Sequence, residues 1–143
     1  MNTIQIKKIK DTAVVPQYQT EGAAGFDLHA TDSDVIMPGE TKLIGIGLAF
    51  ALPKNLELQI RPRSGISAKT GVRVANAPGT VDSDFRGEVK IILTNIGPLP
   101  YTVHLGDRIA QGVICPVIHA NFQVVEELDE TARGQGGFGS TGV

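Results

Sequence analysis

The chain has 143 residues, 41% of them hydrophobic and 20% charged. That is the size and composition of one globular domain and excludes wholesale disorder and fibrous or coiled-coil architectures. Thirteen lysines and arginines against 15 acids leave a net charge of −2, too balanced to blanket a nucleic-acid backbone, so no nucleic-acid partner is expected and any anion site has to be local.

The opening MNTIQIKKIK lacks the apolar core of a secretory leader, and no run of about 18 apolar residues follows it. No membrane association is expected, and a cytoplasmic, reducing setting is. The next readable pattern has period two. Ile44, Ile46, Leu48 and Phe50 alternate with small residues, and Leu56, Leu58 and Ile60 alternate with Glu57 and Gln59, the signature of half-buried strands. The stretch Ser64 to Gly71 predicts a short helix starting near Ser64 and stopping at Gly71, with free N–H groups beside Arg63. Val89, Ile91 and Leu93 form another strand face, Val113 to Ile118 reads as a fully buried strand carrying the lone cysteine, Cys115, as a buried thiol, and Phe122 and Val124 form a shorter strand. Turn signals separate these runs at Met37-Pro38-Gly39-Glu40, Pro53-Lys54-Asn55, Ala77-Pro78-Gly79, Gly97-Pro98 and Leu105-Gly106-Asp107. Many short strands with such turns predict an all-β sandwich or barrel. One β domain is expected over residues 1–133, and residues 134–143, with five glycines, form a tail or lid that builds no core by itself.

The six arginines all lie from residue 61 onward, a distribution that suits either recognition of oxyanions by guanidinium forks or plain surface solubility. His29, His104 and His119 stand too far apart for a zinc site. Neither a Gly-x-Ser-x-Gly elbow nor a Walker A sequence is present. Arg61-Pro62-Arg63-Ser64-Gly65 brings together an Arg fork, a hydroxyl and glycine N–H groups suited to phosphate. Asp82 and Asp84 are two apart, so either can serve as a base toward water or as a turn cap.

These segments occur together with Ala24-Gly25-Phe26-Asp27-Leu28, Gly106-Asp107-Arg108-Ile109-Ala110-Gln111 and the run Arg133 to Gly142. The set resembles the trimeric deoxyuridine triphosphatase family, motif by motif and in order from residue 24 to 142. The resemblance implies a jelly-roll-like β-fold assembled as a homotrimer, with sites between subunits and Mg²⁺-dependent conversion of dUTP and water to dUMP and pyrophosphate. It implies Asp82 as the general base for the water attacking the α-phosphorus, and Asp27 as the acid holding Mg²⁺ through its water shell. Arg63, Ser64 and Gly65 resemble the phosphate turn, Gln111 adds an amide donor, and Arg108 pairs an acid, Asp27. Asn76, Gly79, Thr80 and Val81 resemble the hairpin that reads uracil, and Lys90 sits on the following strand where family members touch the ligand. In the tail, Arg133 reaches the γ-phosphate, Phe138 stacks on the base, and Gly139 and Ser140 belong to the same wrapping segment, a lid over a neighbouring subunit's site. Phe85 stands where the family usually has Tyr, so the ring under the deoxyribose remains while its hydroxyl is gone. Phe26, Ser67 and Gln135 depart from the family's frequent Tyr, small apolar residue and Glu. Two rival expectations belong to the same resemblance. One is a non-catalytic dUTP-binding sensor. The other is a dCTP deaminase-like enzyme, against which Ile92 stands at the position of that branch's catalytic Glu.

Overall fold

A computed structural model describes residues 3–142. In chain order it contains β1 (Gln5–Lys8), β2 (Phe26–His29), β3 (Asp34–Ile36), β4 (Thr41–Gly45), β5 (Leu48–Ala51), β6 (Leu56–Arg61), α1 (Ser64–Lys69), β7 (Val72–Val74), β8 (Gly79–Val81), β9 (Lys90–Asn95), β10 (Tyr101–Val103) and β11 (Arg108–Pro116). One antiparallel sheet runs β2-β11-β6-β8 and another β4-β9-β7, while β1 pairs with β5 and β3 with β10. Both larger sheets feed one core: Leu28, Leu58, Ile60 and Ala110 come from the first, and Ile44, Val72, Ile91 and Leu93 from the second. The architecture is all-β and jelly-roll-like. Among the described residues no helix is long and apolar enough to cross a membrane.

The alternation in the sequence is realised where both the period and a partner exist. Leu56, Leu58 and Ile60 are buried, while Glu57, Gln59 and Arg61 face outward. Ile44, Ile46, Leu48 and Phe50 are all buried, but Ile44 lies on β4, Leu48 and Phe50 on β5, and Ile46 in the link between them, where the chain bends at Gly47. There φ is +66°, and an added Cβ would lie 2.8 Å from Thr31 Cγ2 and 2.9 Å from Ala13 Cβ, so the bend requires glycine. The predicted helix forms and closes one residue before Gly71, because Thr70 donates both its N–H and its hydroxyl to Ile66 O, at 2.9 and 2.8 Å. One buried amide ties the far end of the sandwich together. Asn95 donates to Ile36 O (2.9 Å) and Leu99 O (2.7 Å) and accepts from Gly97 N (2.9 Å), leaving no desolvated polar atom to pay for.

Two expectations for the C-terminal part need correction. The strand through residue 113 is real but not fully buried. Val113, Ile114 and Cys115 are half-buried, Ile118 is exposed, and Cys115 lies 3.7 Å from Arg61 Nη2 rather than inside an apolar core. The sheet carries the core on one face only, so side chains alternating onto the other face meet no second layer of this chain. Phe122 and Val124 form no strand and are 97% and 98% exposed. An apolar alternation records a local preference, whereas a strand also needs a partner to pair with, and among the described residues none pairs with residues 117–133. Beyond Pro116 the described residues hold turns and extended segments only.

Candidate active site

β8, paired antiparallel with β6, and the turn after it, the segment that the sequence reads as a hairpin, wall a cavity of about 320 Å³. Ile60 pairs with Gly79 and Gln59 with Thr80 across the β6–β8 ladder, which fixes the wall. Asn76, Gly79, Thr80, Val81, Asp82, Phe85 and Lys90, all expected from the sequence, line this one cavity. Asp82 is exposed at its mouth, and its backbone carbonyl accepts a hydrogen bond from Phe85 N at 3.2 Å, closing the turn. The turn places the Phe85 ring over Gly87, 45% exposed and free to meet a ligand. Asp84 instead lines a neighbouring cavity that shares only Thr80 and Asp82 with the first, so the two acids are not equivalent.

Sequence reasoning missed the floor of this cavity. Leu43 and Ile92 line it from directly opposed positions on β4 and β9. Glu88 lines it as well while accepting from Gly47 N at 3.0 Å, which fastens the hairpin stem to the β4–β5 bend. The alternation of Val89, Ile91 and Leu93 contained the signal for Ile92, since a residue between two core-facing neighbours must point to the other face of the strand.

A second constellation gathers where β2, β11 and the start of α1 meet. Asp27, on the outward face of β2, has one oxygen 2.7 Å from Arg63 Nε and the other 3.5 Å from Arg108 Nη1. The Arg108 pairing was expected; the tighter one to Arg63 was not. Arg63 Nη1 also donates to Arg108 O at 3.4 Å, so this guanidinium is locked into the scaffold. Gln111 lies opposite Asp27 in the β2–β11 register, and its amide donates to Pro62 O at 2.8 Å, aligning the phosphate-turn backbone. Next to it His29 is half-buried with Nδ1 unpartnered, and burial pushes its imidazole below the usual value, with Asp27 opposing and Arg108 and Arg63 reinforcing the shift. Ser64 and Gln111 line another cavity of about 540 Å³, and Gly65 follows Ser64 in the first turn of α1.

Among the described residues no group of three or more His, Cys, Asp or Glu is placed to cage a metal ion. Both oxygens of Asp27 face guanidinium groups. A carboxylate engaged in this way would hold a divalent cation through the ion's water shell rather than as a direct ligand.

The two cavities use opposite sides of one turn: Asn76 and Gly79 line the first, Ala77 and Pro78 the second. Neither of their linings includes a tail residue. Arg133 Nε donates to Gly136 O at 2.8 Å, Ser140 N to Gly137 O at 3.0 Å and Gly142 N to Gly139 O at 2.9 Å, while Phe138, at φ 51°, is fully exposed. Within one chain, then, the residues of the hairpin pocket come together, those of the phosphate turn come together, and the tail joins neither.

Such a chain is defined by its β-sandwich and by two dissimilar half-sites, one apolar and hairpin-walled with a carboxylate at its mouth, the other rich in guanidinium and amide donors. That is the class of protein that receives a ligand with a flat ring at one end and oxyanions at the other. Residues 11–142 match the dUTPase family, and the chain belongs to it. A protein of Nautilia profundicola called deoxyuridine 5'-triphosphate nucleotidohydrolase is 53% identical over 139 residues, covering 97% of this chain and 98% of that one. The protein of the same name from Wolinella succinogenes is 55% identical, covering 97% of this chain and 93% of its own. Among solved structures, a dUTPase mutant of Staphylococcus bacteriophage 80alpha with dUpNHpp superposes with a TM-score of 0.92 at 26% identity, covering 100% of both chains.

Proposed function

We propose that this chain hydrolyses dUTP to dUMP and pyrophosphate by water attack on the α-phosphorus, as one subunit of a homotrimer, limiting uracil available to DNA and supplying dUMP for thymidylate synthesis. The observation that carries the reading is the hairpin cavity with Asp82 at its mouth, in a chain that matches the dUTPase family over residues 11–142.

Asp82 accepts the proton of the attacking water as a carboxylate at the cavity edge. Backbone groups of Asn76, Gly79, Thr80 and Val81 read the uracil edge, and the tight turn they belong to excludes a thymine methyl. Phe85 floors the deoxyribose and penalises a ribose hydroxyl, which would be desolvated against an aromatic face without a partner. Lys90 approaches from the following strand. Arg63, Ser64, Gly65 and Gln111 receive the phosphate chain, whose charge they offset with donors fixed in advance. Asp27 would hold Mg²⁺ through the ion's water shell, and the ion would supply charge neutralisation at the phosphate oxygens.

The trimer is supported by what one chain leaves uncovered. Ile118, Phe122, Val124 and Leu128 are 92%, 97%, 98% and 84% exposed, four large apolar side chains within one segment that a partner surface would cover. A second copy covers that arm and brings the tail, residues 134–143, as a lid whose Arg133, Phe138, Gly139 and Ser140 close over the neighbour's nucleotide. Stacking of Phe138 on the base supplies about 1–3 kcal/mol toward ordering the glycine-rich segment. A cytoplasmic setting fits the lone, unbridged Cys115.

The test is release of pyrophosphate from dUTP, dCTP, dTTP and UTP in parallel with Mg²⁺, with the nucleotide products identified by chromatography. Rapid formation of dUMP from dUTP alone is expected. Tight dUTP binding without turnover would identify a sensor instead. Uracil nucleotides formed from dCTP would identify a deaminase, a chemistry for which the aliphatic Ile92 in the pocket floor offers no proton shuttle.

A further inference from the structure

The sequence places two arginines around one proline, and the structure gives them different work. Arg63 is neutralised by Asp27 and tied to the Arg108 carbonyl, with Nη2 left to donate. Arg61 is not. It is the last residue of β6, on the outward side of a strand whose Leu56, Leu58 and Ile60 face the core. In the sheet register Asp27, Gln111 and Arg61 lie opposite one another on β2, β11 and β6, a single row across three strands on one face, with neighbouring Cβ atoms roughly 5 Å apart.

The Arg61 guanidinium is held in place without being neutralised. Its Nε and Nη2 donate to Gln59 Oε1 at 3.1 and 2.7 Å, and Gln59 Nε2 donates in turn to Glu57 Oε1 at 2.7 Å. The amide turns its oxygen to the arginine and its nitrogen to the carboxylate, so Glu57 orients Arg61 from one residue away rather than pairing with it. Nη1 makes no hydrogen bond among the described residues. Arg61 lines the 540 Å³ cavity beside Ser64 and Gln111; Arg63 does not.

We propose that Arg61 is a further phosphate-binding residue, and that it receives the β- and γ-phosphates, the end that leaves as pyrophosphate. The assignment to that end follows from placement: Asp82, beside which the α-phosphorus must sit, lines the hairpin cavity and not the one that holds Arg61. An anion entering the latter meets a preset guanidinium whose Nη1 is free to donate. This inference rests on the dUTP-hydrolysing reading, and its test separates the two.

Inorganic pyrophosphate is the probe, titrated into the intact protein by calorimetry and used as an inhibitor of dUTP turnover, with dUMP as the control ligand. Arg61→Gln should weaken pyrophosphate binding and raise KM for dUTP by about tenfold or more, the usual scale of a charge-assisted hydrogen bond. It should leave dUMP inhibition, the melting temperature and the oligomer mass unchanged. Arg61→Lys should recover part of the pyrophosphate affinity, because the charge stays while the fork is lost. Unchanged pyrophosphate affinity in Arg61→Gln overturns the proposal, whether or not stability or assembly changes, and so does an equal loss for dUMP. If the wild-type protein does not turn over dUTP, the functional reading fails, yet pyrophosphate calorimetry on wild type and Arg61→Gln still decides the role of Arg61.

Discussion

Gly25 immediately precedes the strand that carries Asp27, and the structure explains why a side chain there would be felt at the phosphate turn. A Cβ added at Gly25 would lie 2.6 Å from Gln111 Oε1, 3.2 Å from Gly112 O and 3.4 Å from Val113 Cγ2. The Gly112 carbonyl belongs to β11 and has little freedom to move, but the Gln111 side chain can swing away. If it does, it gives up the hydrogen bond to Pro62 O at 2.8 Å, worth about 0.5–1.5 kcal/mol net. Because the closest atom is the end of a flexible side chain, the overpacking cost of Gly25→Ala falls at the low end, about 1 kcal/mol. Together they amount to roughly 2 kcal/mol, a fall in melting temperature of about 4–8 °C for a chain of this size. Activity should suffer more, since displacing a positioning group by about 1 Å costs up to about 10²-fold in rate. The assay is kcat/KM on dUTP for wild type, Gly25→Ala, Gln111→Ala and the double variant, with thermal melts of each. In the Gln111→Ala background the clash partner is gone, so the alanine at 25 should add little further loss; the two penalties are coupled, not additive. Wild-type kcat/KM in Gly25→Ala, or penalties that simply sum, would refute the claim that Gly25 acts through Gln111.

Three further outcomes are expected. Asp82→Asn should lower kcat by at least about 10²-fold with little change in KM, and a near-normal rate in steady-state assays would remove Asp82 from the mechanism. Deleting residues 134–143 should abolish turnover while leaving the thermal melt intact, because the described part of this segment buries no side chain; full activity of the truncated protein would refute the lid. Asp34 accepts from Lys42 Nζ at 2.7 Å and from Val35 N at 2.8 Å, and these donors hold its carboxyl below the ordinary value near 3.8. A depressed folded-state pKa contributes stability above the unfolded value and loses it as pH falls through the folded one. Asp34→Asn should therefore flatten the acid limb of the stability profile below about pH 4, and an unaltered limb in acid titration followed by circular dichroism would show that this exposed pair contributes nothing.

Much of the fold was legible in the residues because the strands that carry one buried face write it as period two. Leu56–Ile60 and Val89–Leu93 lie where the alternation puts them, and the turns at Gly39 and Gly106 take the positive φ that glycine permits, +80° and +87°. The short strands β3, β7, β8 and β10, three residues each, were not legible, since three residues hold too little periodicity and owe their form to a neighbour's edge. Phe122 and Val124 failed for the converse reason, a pattern without a partner in the same chain.

For the site, the sequence by itself determined the chemical inventory and the family: the motifs from Asp27 through Asp82 to the glycine-rich tail are local strings whose order survives in the chain. Only the tertiary structure decided the division of labour within that inventory. Register across β2, β11 and β6 put Asp27, Gln111 and Arg61 in one row, tied Arg63 to Asp27, and left Arg61 with its charge facing a cavity. Two arginines separated by one proline are chemically identical on paper. What distinguishes them is which carboxylate the opposing strand brings within reach, and strand pairing is a long-range property that no local pattern encodes.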